Sequence, residues 1–239
     1  MIDLNSADIQ LKLLAGDSID VDNIFIRPLT LCEIKNMYIS KYYQYLNILC
    51  WDSNRIKKIF DTLQEIDPLE FLVMNFNSKE SEVVNIISNA FKFFIGEFKY
   101  KDYEFYVNDV KINKENYSDI QKVLKRQNCL IESNEEEFRP ANDAARAMIA
   151  KLMKAREKLN EAKSKDALDL FDLISILTAY SNINIFEVWN LTMFQFNNLF
   201  NRLRIMRDFD VNVQALIHGA ESKDVKLKHW LCKENELNK

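Results

Sequence analysis

Along most of this chain of 239 residues, apolar side chains return every third or fourth position, the period of a helix with one buried face. The strongest such run starts after Thr30, which with Glu33 three residues later forms a capping-box pattern. Ile34, Met37, Tyr38, Lys41, Tyr42, Tyr45, Ile48 and Leu49 then share one face, so the spacing predicts a single long helix. Shorter helices follow at about 54–65, 68–75 and 81–97. Asp67 caps the second of these, with Pro68 as its first residue. Val84, Ile87, Ala90, Phe91 and Phe94 form the buried stripe of the third. Asn113 or Asn116 caps a helix to about Gln127, with Ile120, Val123 and Leu124 inward.

Beyond residue 142 the helical period resumes. Met148, Leu152, Ala155, Leu159 and Ala162 step by four and three within Asp143–Lys165, which fits a two-helix hairpin contact. A helix capped by Asp166 carries DLISILTAYS, and another opens near Thr192 with Met193, Phe196, Leu199, Phe200, Leu203 and Met206 on its stripe. A separate short helix is expected over 211–219, stopped by Gly219.

The period changes to two in only two places. FKYKDYEFYV at 98–107 predicts a β-hairpin about a Lys101-Asp102 turn. Val21 to Leu29 predicts one short strand ended by Pro28, while the first 20 residues read as an arm or loose first element. The fold class is therefore mainly α: an irregular helical bundle with a small β-hairpin and a short N-terminal strand. Residues 132–142 (ESNEEEFRPAN) break the pattern with clustered charge and Pro140, and divide an N-terminal part (1–131) from a C-terminal part (143–239).

Composition narrows the function classes. Three glycines cannot build a P-loop or a dinucleotide fingerprint, nor the frequent turns of a β-sandwich. Two histidines and four scattered cysteines offer no metal-ligand spacing, so no structural metal and no cofactor is expected. A net charge of −4, with basic residues spread along the chain, lacks the stripe that binds nucleic acid. No apolar run reaches the roughly 20 residues of a membrane span, and no secretion-signal pattern opens the chain. The expectation is a soluble intracellular protein without a catalytic centre.

Aromatic residues carry more information. Phe186, Trp189, Phe194, Phe196 and Phe200 crowd one short stretch. On a helix opening near Thr192, Phe196 and Phe200 share a face and Phe194 points elsewhere. Either both faces are core, or one is covered by a partner. His218 reads as a capping or buried structural residue, and Trp230 within LKHWL as an anchor for the terminal segment or a local binding patch.

Three stretches carry a resemblance: RPLTLCEIKNMYISKYYQYLNIL (Arg27–Leu49), DLISILTAYSNINIFEVWNLTMFQFNNLFNRL (Asp172–Leu203) and VKLKHWL (Val225–Leu231). Their order and wording resemble the tail assembly chaperones of phages and prophages of low-GC Gram-positive bacteria. The resemblance implies a non-enzymatic protein of the host cytoplasm that keeps the helical tape measure protein soluble until tail tube protein polymerises around it. Self-association into a homo-oligomer is compatible with that role, and no membrane or nucleic acid is implied. Trp189, Phe194 and Trp230, inside the resembling stretches, are the candidate partner-binding residues. The alternative is a structural virion protein of the tail or connector.

Overall fold

A computed structural model describes residues 2–60, 66–78, 80–130 and 168–221, together with 225, 227 and 229–231. The chain is mainly α with two small antiparallel sheets. It divides into two compact units, Met1–Leu130 with Ile183–Lys239, and Ile131–Asn182. The sequence reading grouped residues 143–239 into one C-terminal part; instead, the stretch from Ile183 onward belongs with the first 130 residues. The reason is long-range packing, to which local composition is blind. The expected linker 132–142 and the seam helix Asp143–Lys165 lie outside the described residues.

The first unit opens with α1 (Ala7–Ala15), where a loose arm was expected. Ser6 accepts from the Ile9 N–H, and Gly16 in the left-handed region closes the helix with its N–H on Leu13. Leu13 is its one buried residue among those described, so the apolar period is too short to announce a helix. A hairpin of β1 (Ile19–Val21) and β2 (Ile24–Ile26) replaces the single expected strand. Ile19, Val21, Ile24 and Ile26 face inward. Its turn residues Asp22 and Asn23 take φ 53° and 66°, as a type I′ turn requires.

The expected long helix is broken. α2 (Leu31–Met37) and α3 (Ile39–Cys50) meet at Tyr38, which stands at φ 71°, ψ 132°. That region is nearly closed to residues with a Cβ and costs roughly 1–3 kcal/mol. The buried Met37 and Tyr42 on either side hold the bend. The Tyr42 hydroxyl donates to Asn128 Oδ1 at 2.8 Å in the core. Burial pushes its pKa up, which keeps it neutral.

α4 (Ser53–Phe60), α5 (Pro68–Asn77) and α6 (Ser81–Phe94) follow; residues 61–65 of the expected first helix lie outside the described residues. Asp67 accepts from the Leu69 and Glu70 N–H groups, as its place before Pro68 predicts. Ile87, Ala90, Phe91 and Phe94 are buried, and α6 packs on α3. The second sheet, β3 (Phe98–Lys101), β4 (Glu104–Val107) and β5 (Val110–Lys111), turns at Asp102-Tyr103, one residue later than expected, and again at Asn108-Asp109. All four turn residues have positive φ, so Asp and Asn take the place of the scarce glycines. Phe76, Phe91, Phe98, Tyr100 and Phe105 form one aromatic cluster with ring centroids 4.6–5.9 Å apart.

α7 (Lys114–Gln127) is capped by Asn113, and Ile120, Val123 and Leu124 are buried as predicted. Its side chains finish α3: the Tyr117 hydroxyl and Gln121 Nε2 both donate to the Leu49 carbonyl at 2.8 Å. Cys50, buried beside this junction, has its thiol pushed up to about 12 by desolvation.

In the second unit, α8 (Leu170–Tyr180) starts from a capping box between Asp169 and Asp172. The expected cap Asp166 lies outside the described residues. Back in the first unit, a 3-10 turn (Val188–Asn190) leads to α9 (Met193–Ile217). α9 is one continuous helix rather than two, because its interior contains no glycine or proline. Among the described residues no helix is long and apolar enough to cross a membrane.

Candidate protein-binding surface

The chain brings its distant resembling stretches together at Thr30 and Thr192. Each is the N-cap of a capping box, Thr30 with Glu33 and Thr192 with Gln195. The two residues form an antiparallel bridge, and the Leu31 N–H donates to the Leu191 carbonyl at 2.8 Å. Gln195 Nε2 reaches the Leu14 carbonyl at 2.8 Å and so ties α1 to the same junction. At Gly16, a Cβ would stand 3.2 Å from Gln195 Nε2 and 3.3 Å from the Thr192 methyl. The T-x-x-E and T-x-x-Q words therefore encode helix starts locked to each other.

Glu33 feels opposing influences. Partial burial pushes its carboxyl up, but the Thr30 N–H and the Arg27 guanidinium, 2.8 Å away, more than reverse this and hold it below its ordinary value.

The three candidate partner residues have different fates. Phe194 is only 3% exposed, in the core, with the Arg126 guanidinium 5.3 Å from its ring centroid. The expectation that it points away from the buried face is corrected. Burial spreads around the start of α9, where Met193, Phe194 and Phe196 are all covered, while the stripe residue Leu199 is exposed. The start of α9 meets α1 and α7, so a single stripe does not describe it.

Trp189 is half-buried in the 3-10 turn, with Lys35 Nζ 4.8 Å from its ring centroid. Trp230 is 40% exposed; His229 lies beside it and 5.0 Å from the Phe209 ring. The structure does not gather the three into one constellation. His218 is the exposed C-cap of α9.

Each unit carries exposed apolar residues that periodicity misses. Phe186 is 81% exposed, and Ile185 and Tyr38 are exposed as well. From Met206 to its end, α9 has no buried residue, although Met206, Phe209, Val213 and Leu216 keep heptad spacing along it. In the second unit, Leu168, Phe171 and Tyr180 are exposed on or beside α8. Where such groups are contiguous they suit an interaction surface. Among the described residues no group of His, Cys, Asp and Glu is placed to hold a metal ion.

Residues 161–235 match the family described as YomV second domain, a name associated with phages and prophages. The match spans α8, the 3-10 turn and α9. No curated protein and no solved structure matches the chain.

Proposed function

We propose that the protein is a phage tail assembly chaperone, which covers apolar helical segments of a tape measure protein and helps recruit tail tube subunits in the host cytoplasm. The observation that carries this reading is the concentration of exposed aromatic and aliphatic side chains in the region matched to the phage-associated family, from Phe171 through Phe186 to Ile217. Such groups suit helix-in-groove binding, which needs neither a cofactor nor a reactive side chain. Of the residues named from sequence, Trp189 and Trp230 remain candidates for direct contact. Phe194, buried in the core, is not among them.

A virion component would also display sticky surface, and composition of the finished particle separates the two. Quantitative mass spectrometry of purified tails should find the tape measure and tail tube proteins and not this chain. Its presence at a fixed stoichiometry would make it a structural subunit instead.

A further inference from the structure

On the first unit, the end of α2 packs beside the 3-10 segment, and the exposed bend at Tyr38 follows directly on α2. Lys35 Nζ lies 4.8 Å above the Trp189 ring, and Lys41 Nζ lies 5.8 Å from the Tyr38 ring. Tyr38 closes α2 by donating its N–H to the Lys35 carbonyl, so the two cation–aromatic pairs are one helical turn apart. Neither ammonium has a carboxylate partner among the described residues. Glu33 nearby is occupied by Arg27, and Glu187 is the exposed carboxylate of the 3-10 segment. Phe186, with its N–H donated to Asn184 Oδ1, stands out from the same segment.

Strain is a second, independent observation. Tyr38 keeps a backbone conformation that suits glycine, and its ring is 69% exposed. Folding gains little from an exposed ring, whereas a binding partner would gain a fixed aromatic anchor.

We infer that this surface binds an amphipathic helix whose apolar stripe is flanked by carboxylates. Phe186, Trp189 and Tyr38 receive the stripe, and Lys35 and Lys41 meet the acidic flanks. Charge complementarity selects this occupant: two ammonium groups without a carboxylate partner among the described residues border the rings, and desolvating them against another apolar or basic helix would be unfavourable. The inference rests on the chaperone reading for the partner's identity, since an acidic-flanked tape measure helix is the natural occupant.

Two fluorescent helical peptides with the same leucine stripe, one with glutamate flanks and one with lysine flanks, test it by anisotropy at low salt. The wild-type protein should bind the glutamate peptide about tenfold more tightly, and K35E/K41E should invert the preference. Tyr38→Gly should weaken the glutamate peptide about tenfold while the melting temperature holds or rises, a split that a purely structural tyrosine would not give. Equal affinity for both peptides, or a preference that survives K35E/K41E, overturns the inference. So does tighter binding of an oligo-dT probe that K35E/K41E abolishes, which would assign the platform to nucleic acid. Co-expression separates this from the chaperone reading. If K35E/K41E keeps the tape measure as soluble as wild type does, the surface is wrong and the chaperone reading stands. If wild type itself fails to keep it soluble, the chaperone reading falls and the peptide preference alone decides the surface.

Discussion

Thr30 and Thr192 face each other across an antiparallel bridge, and each begins its own helix through a capping box. Two entropic tasks, starting a helix and closing a long loop, are thus met at one point. Thr30→Ala and Thr192→Ala should each destabilise the protein by about 1 kcal/mol in urea unfolding. Their double mutant should depart from additivity by about 0.5 kcal/mol or more. Strict additivity would show that the two starts are independent.

Gly16 is the third member of this junction. Its φ of 80° is strained for any residue with a Cβ, and a methyl group there would press on the Gln195 and Thr192 side chains. Gly16→Ala should lower stability by about 1 kcal/mol or more, read from the urea midpoint at unchanged m.

Burial separates the aromatic residues that sequence groups together. Phe194→Ala should cost about 3–5 kcal/mol of folding stability. Trp230→Ala, at a 40% exposed position, should cost well under half of that. Thermal melts of the two variants check the order, and a larger loss for Trp230 would contradict the packing described.

Glu33 gives a pH signature. Its folded carboxyl lies below the ordinary 4.5, because the Thr30 N–H and Arg27 outweigh the upward push of burial. A depressed carboxyl contributes stability that is fully present above the unfolded value and is lost as pH falls through the folded one. Glu33→Gln keeps a capping acceptor but cannot ionise. The wild-type advantage in melting temperature should therefore hold near neutrality and shrink as pH falls below the ordinary carboxylate value. An advantage that does not shrink with acidification would assign it to something other than the charge.

Local signals were legible wherever one side chain fixes one backbone group. The caps at Thr30 and Asp67, a cap at one of Asn113 and Asn116, a helix start near Thr192, and all of the α6 stripe except the half-buried Val84 follow from residue spacing. The bend at Tyr38 does not, because no glycine or proline marks it and the burial of Met37 and Tyr42 on either side of it is tertiary. Glycine scarcity argues rightly against a β fold but hides three tight turns built on Asp22-Asn23, Asp102-Tyr103 and Asn108-Asp109. At the candidate surface, sequence found the aromatic stretch but assigned Phe194 the wrong side. A stripe projected on one helix ignores α1 and α7, which cover the start of α9 from other directions. Lys35 was invisible as a neighbour of the Trp189 ring, since the two are far apart in sequence and meet where the Thr30–Thr192 junction joins their segments.

The chaperone reading makes its central demand on solubility. The tape measure protein of the same phage or prophage should be produced alone and together with this chain, and its soluble fraction compared after centrifugation. The account predicts that tape measure protein is largely insoluble alone, and soluble in a co-eluting complex when this chain is present. An equally insoluble tape measure in both cultures, or one that is soluble without help, would contradict it.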